Sequence, residues 1–230
     1  MSKFSLGLVL LLSCAAASGA PCGNAPLSTY VSLGSTGCSV GAYTFFNFGF
    51  QVFSSVGSPA VLGTADLNLS PTTVLNGAGF DFLPVSGGPG FSLSSGQAVT
   101  YRLTYTVDPP PPIIWGFEED MQTNTPVAPG FARINASLCV GGVFLANCFT
   151  DPVALTVYHN GNSDFRLQDA RAIQGAYIVG VRTDIILDAT AGGSSSFTGF
   201  SQFATIPEPG SLVMLASGLL AGWGIRRRRC

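Results

Sequence analysis

In residues 99–107, VTYRLTYTV, Val99, Tyr101, Leu103, Tyr105 and Val107 alternate with Thr100, Arg102, Thr104 and Thr106. An amphipathic helix repeats its apolar positions every three to four residues, so a period of two predicts a strand with one buried face. Tyr177, Val179, Val181, Thr183, Ile185 and Leu187 predict a second long strand, opposite Arg182, Asp184 and Asp188. Phe46, Phe48, Phe50 and Val52 predict a third. Shorter alternations occur at Leu67 and Leu69, Phe80 and Phe82, Ile134 to Leu138, Val153 to Val157, and through Phe197, Phe200 and Phe203.

Turn chemistry separates these runs at Asn76-Gly77, Gly87-Gly88-Pro89-Gly90, Gly141-Gly142 and Asn160-Gly161. Many short strands with polar punctuation predict an all-β, antiparallel β-sandwich, immunoglobulin-like or jelly-roll-like. The four prolines Pro109 to Pro112 supply no ladder donors and favour polyproline II. They read as an edge or loop crossing of one sandwich over residues 21–191, the alternative being two halves divided at 109–112. Residues 192–206, opening on Gly192 to Ser196, read as a flexible lead-in to the tail.

Lysine is absent after Lys3, and residues 21–206 hold five arginines against eleven carboxylates, a formal charge of −6. That balance argues against a nucleic-acid partner. Four of the six cysteines, Cys22, Cys38, Cys139 and Cys148, fall in the same stretch. An even number suits an oxidising compartment and allows three pairings. Closeness in sequence favours Cys22 with Cys38 and Cys139 with Cys148. A two-residue hairpin at Gly141-Gly142 would set Cys139 opposite Phe144 and leave Cys148 out of reach, so the second pair requires a wider loop.

The chain opens on a lysine, an apolar run from Phe4 to Leu12 and then small residues, the pattern of a secretory signal peptide over residues 1–20. Ala15-x-Ala17 and Ser18-x-Ala20 both fit its cleavage, with a mature start between Ser18 and Cys22. Leu11-Leu12-Ser13-Cys14 offers a rival lipoprotein reading, although a second anchor would duplicate the one at the other end. There, Pro207, Glu208 and Pro209 precede an uncharged stretch from Leu212 to Ile225 and the block Arg226, Arg227, Arg228 and Arg229. At about 1.5 Å per residue the stretch covers about 21 Å of helix, short of a hydrocarbon core of roughly 30 Å. Snorkelling arginines extend its reach, predict a single transmembrane helix and keep the basic end cytoplasmic.

This order of signal peptide, Pro-Glu-Pro, apolar helix and basic cluster resembles PEP-CTERM proteins, the substrates of exosortases in exopolysaccharide-producing Gram-negative bacteria. The resemblance covers residues 206–230. It implies that Pro207, Glu208 and Pro209 are recognised by an exosortase-like membrane enzyme. That enzyme would remove a transient inner-membrane anchor and deliver the domain to the cell surface or matrix. Cys230, after the arginines, departs from the usual ending.

Catalytic patterns are sparse. Gly37-Cys38-Ser39-Val40-Gly41 satisfies G-x-S-x-G, and His159, the one histidine, follows an Asp. A nucleophile elbow needs a helix after its serine, whereas a strand pattern follows here. Tyr158, Asn160, Gly161 and Asn162 around His159 read as an exposed turn. Glu118, Glu119 and Asp120 form the dense acidic group, read as a solvated tip rather than the two carboxylates of a glycoside hydrolase. Asn160, Asn162 and Asp164 alternate like the start of a calcium loop, but Arg166 and Arg171 stand where oxygen donors belong, so no metal or cofactor is expected.

The function expected is therefore structural or adhesive and non-enzymatic. A carbohydrate-binding module acting on exopolysaccharide is the alternative, with Trp115 the one tryptophan of the mature domain, and a polysaccharide-active enzyme is the third reading.

Overall fold

The structure, a computed structural model, describes residues 19–75, 77–109, 114–123, 128–144, 148, 153–161 and 164–206. It is all-β. The N-terminal half holds β1 (Ala25–Pro26), the short helix α1 (Leu27–Ser32), β2 (Cys38–Val40), β3 (Tyr43–Val56), β4 (Leu67–Val74) and β5 (Gly77–Pro84). It continues with β6 (Ser92–Leu93) and β7 (Ala98–Asp108). Then come β8 (Ile114–Gln122), β9 (Phe131–Val140), β10 (Val153–His159), β11 (Phe165–Arg166) and β12 (Gln168–Ala176). The chain finishes with β13 (Val179–Asp188), β14 (Ser195–Ser196) and β15 (Gly199–Thr205).

Two antiparallel sheets face each other. Among the described residues one has six strands in the order β1-β4-β5-β15-β8-β12, and the other seven in the order β11-β10-β9-β13-β7-β3-β2. The inward side chains of both sheets form one apolar cluster. Phe82 of β5 stacks on Phe200 of β15 at 4.6 Å between ring centroids and lies 6.4 Å from Tyr105 in the opposing sheet. Strands from before and after Pro109–Pro112 are neighbours within both sheets, through β5 with β15 and β7 with β13.

The alternations in β7 and β13 survive into the structure: Val99, Tyr101, Leu103, Tyr105 and Val107 are buried, as are Val179, Val181, Thr183, Ile185 and Leu187. Tyr177, read from the sequence as the start of that second strand, lies outside β13 and is exposed. Two further expectations are corrected. Phe46 does not share the inner face with Phe48, because Asn47 (φ 56°) sits where the register against β7 shifts. An extra residue at a bulge turns the following side chains over, so Phe45 and Phe48 are both buried while Phe46 pairs with Thr106 on the outer face. Residues 199–205, assigned to the flexible lead-in, form β15 instead, hydrogen-bonded to β5 on one side and β8 on the other.

Among the described residues no helix is long and apolar enough to cross a membrane. Residues 1–18 of the expected signal peptide, the span Leu212 to Ile225, Pro207, Glu208, Pro209 and Arg226 to Arg229 lie outside the described residues.

Phe82 is fully buried between Phe80, Phe200 and Tyr105. Truncating it leaves a cavity that rigid strands on both sides cannot collapse into. Phe82→Ala is expected to cost roughly 3–5 kcal/mol, measured as a lower urea midpoint at unchanged slope with the disulfides intact.

Candidate functional site

The acidic triplet is not a loop tip. It lies in β8, where Phe117, Glu119 and Met121 take the inner face and Glu118 is exposed on the outer one. The period of two through Phe117 and Met121 was present in the sequence, but a carboxylate at the middle inward position masked it. Strand geometry sends adjacent side chains to opposite faces, so Glu118 and Glu119 cannot converge on one bond. Glu118 and Asp120 line a shallow groove of about 400 Å³ with Arg166, Gln168 and Asp169.

Glu119 is completely buried and belongs to a polar chain that crosses the core. Its Oε1 accepts from Gln202 Nε2 of β15 at 2.7 Å, and the same amide nitrogen donates to Thr183 Oγ1 of β13 at 2.8 Å. Tyr105 of β7 donates its hydroxyl to Gln202 Oε1 at 3.0 Å. Glu119 Oε2 has no hydrogen-bond partner among the described residues. Asp169, directly opposite on β12, differs in its surroundings. It accepts from the Thr156 amide at 2.9 Å and from Arg166, and Arg171 stands 3.6 Å away. Burial, with the Asp169 charge adding to it, pushes the Glu119 carboxyl up to about 8. Burial and the nearby Glu119 push the Tyr105 hydroxyl up as well.

Both locally paired disulfides are present. Cys22 and Cys38 have Cα atoms 5.0 Å apart, and Cys139 and Cys148 5.4 Å apart. Gly141-Gly142 does not make a tight hairpin. The chain runs on beside β13, with the Gly141 amide donating to Ile178 O and the Gly180 amide to Gly142 O at 2.8 and 2.7 Å. A Cβ on Gly180 would lie 2.6 Å from the Phe144 nitrogen, so glycine is what lets this segment cross over the strand.

His159 is buried rather than exposed. It ends β10, accepts the Gly161 amide at Nδ1 (3.1 Å) and stacks on Phe165 at 5.6 Å. Ser39 sits in β2 and donates its hydroxyl to Gly19 O at 2.9 Å. Five strand steps of about 4.8 Å each separate β2 from β10, so Ser39 and His159 do not share a site. Of the calcium-like residues, Asn160 donates its side-chain amide to Asp164 at 2.6 Å, and Tyr158 reaches the other Asp164 oxygen at 3.2 Å. Asn162 lies outside the described residues. Trp115 falls within β8.

The described residues thus form a braced, antiparallel β scaffold with a buried polar tie. The model of the PEP-CTERM protein-sorting motif matches residues 205–229, so the chain carries a PEP-CTERM sorting motif and is exported and sorted through it. No curated protein sequence matches the chain. Among solved structures it is similar to TmCBM61 in complex with beta-1,4-galactotriose, at 10% identity and TM-score 0.34 over 70% of this chain and 88% of that one. It is also similar to the enzymatically active domain of tailspike protein 4 of bacteriophage CBA120, at 12% identity and TM-score 0.30 over 77% and 21%. A third is the family 11 carbohydrate-binding module from Clostridium thermocellum in complex with a mixed-linked tetrasaccharide, at 8% identity and TM-score 0.22 over 73% and 90%. Likenesses this distant assign no function to the chain.

The buried carboxyl makes stability depend on pH. Glu119 keeps its proton to about pH 8 when folded, against 4.5 as its ordinary value. Between those values the folded state binds more protons, so the contribution is complete below about 4.5 and is lost as pH rises through about 8. Glu119→Gln is expected to flatten that part of the pH–stability curve and to be more stable than the parent above pH 8 by roughly 2–4 kcal/mol, read by urea unfolding across pH 4–9.

Proposed function

We propose that the protein is an exported surface or matrix component of structural or adhesive type and is not an enzyme. In this reading a signal peptide over residues 1–20 exports it, and Leu212 to Ile225 anchors it transiently in the inner membrane. Arg226 to Arg229 hold the cytoplasmic side. An exosortase-like enzyme then cuts at Pro207, Glu208 and Pro209, and the domain passes to the cell surface or the extracellular matrix. The single observation that carries this reading is the sorting-motif match over residues 205–229. Two disulfides and a core shared by both sheets support an extracellular scaffold role. The chain crosses repeatedly from one sheet to the other, singly or after two or three strands, which favours a jelly-roll-like over an immunoglobulin-like sandwich.

A second reading, carbohydrate binding on exopolysaccharide, is favoured by solvent-facing aromatics: Phe53 is 58% exposed, Phe165 55% and Tyr177 71%. Glycan turnover abolished by replacing Glu118 or Glu119 would replace both readings with a polysaccharide-active enzyme.

Mass spectrometry of the protein recovered outside the cell tests the sorting. A C-terminus within Pro207 to Pro209 is expected, and replacing Pro207 and Pro209 with alanine should leave the chain membrane-bound. Released protein that still carries Arg226 to Cys230 would overturn the proposal.

A further inference from the structure

The outer face of the seven-stranded sheet carries a second polar cluster that the sorting motif does not use. Two cross-strand rows run side by side over β3, β7, β13 and β9. Gln51, Arg102, Asp184 and Asn135 form one, and Gly49, Thr104, Arg182 and Ser137 form the other. Arg102 grips Asp184 with Nε at 2.7 Å and Nη2 at 3.3 Å. Arg182 is left with a weaker hold on the same carboxylate, its buried Nε 3.9 Å from Oδ2 and without a hydrogen bond among the described residues. Two guanidinium groups thus share one carboxylate, and the cluster keeps a net positive charge in a domain that is otherwise acidic.

The surroundings form a groove of about 390 Å³, within the size range of small-ligand sites. Its floor is Gly49, Gln51 and Thr104, where the missing side chain of Gly49 leaves room beside the Thr104 hydroxyl. One wall is Val31 of α1, inside the loop that Cys22–Cys38 closes. The other is Phe144, on the segment that Cys139–Cys148 ties down. Each arginine also rests on an aromatic ring, Arg102 over Phe53 at 4.1 Å and Arg182 over Phe144 at 5.1 Å. Stacking fixes the plane of a guanidinium and leaves its in-plane donors for a planar anion. A third of the Arg182 side chain remains exposed.

We infer that this groove binds the carboxylate of an acidic saccharide, with Arg182 as the principal anion contact. The hold of Arg182 on Asp184 is long, at 3.9 Å, so the exposed part of its side chain can take a ligand carboxylate without breaking the Arg102–Asp184 pair. Gln51 and Thr104 offer a neutral amide and a hydroxyl to sugar hydroxyls, and the ring of Phe53 beside them is mostly exposed. The inference rests on the carbohydrate-binding reading above and is independent of the sorting.

Calorimetry on the disulfide-intact protein tests it with a β-1,4-linked glucuronic acid trimer. Cellotriose, which has the same backbone with a neutral hydroxymethyl group, and acetate serve as controls. The acid trimer should bind at least tenfold more tightly than either control, and more weakly as salt is raised. Arg182→Gln should weaken it at least tenfold, and Asp184→Asn, which removes the competing carboxylate, should strengthen it several-fold. A misfolded variant cannot produce that gain. Equal affinity for the acid and neutral trimers would overturn this site and leave carbohydrate recognition standing, while no binding of either would overturn both. Acetate binding as tightly as the trimer, or weaker binding by Asp184→Asn, would also overturn the site.

Discussion

The pairing of Gly199–Thr205 on both of its edges is the constraint from which the rest of the sandwich follows. β15 fills the gap between β5 and β8 and so joins the two halves of the six-stranded sheet. The fit is close: a Cβ at Gly79 would lie 2.8 Å from the Phe203 Cα, so only glycine admits the strand at that register. The same strand carries Gln202, whose amide binds Glu119 in its own sheet and Thr183 and Tyr105 in the other. An unsatisfied buried amide is costly, so these hydrogen bonds hold the two sheets at one distance and one register. The sorting motif begins where this strand ends.

That arrangement divides the molecule by function. The interior supplies stability through stacked phenylalanines and one buried polar tie, with its carboxyl held protonated. The seven-stranded outer face is left to chemistry that water can reach, and its charged cluster is framed by the two segments that the disulfides secure. The tail directs the domain, and the strand before it completes the domain. Cleavage after Ile206 would therefore separate address from fold without removing any strand of either sheet.

Much of the scaffold was legible in single residues. β7 and β13 are central strands, and Val99 to Val107 alternate without a break because each inward side chain meets the opposing sheet. The local disulfides were readable from spacing. β3 was read in the wrong register because a backbone turn at Asn47 leaves no mark on hydrophobic periodicity. β8 and β12 were missed for the opposite reason: Glu119 and Asp169 occupy inward positions that a pattern reader expects to be apolar. Only the three-dimensional neighbours, Gln202 for one and Arg166 with the Thr156 amide for the other, show why those carboxyls are tolerated. The Arg102–Asp184–Arg182 cluster was equally hidden, since its members come together only by pairing of strands distant in sequence.

The most direct test of the central claim, that the domain is complete at β15 and the sorting tail adds nothing to its fold, is thermal unfolding of chains with different C-termini. A mature chain ending at Ile206 should unfold in one cooperative transition at the same midpoint as a chain continuing through Pro209, whereas one ending at Thr198 should show no such transition. A chain ending at Ile206 that has lost its cooperative transition, or a Thr198 chain that keeps it, would contradict the account.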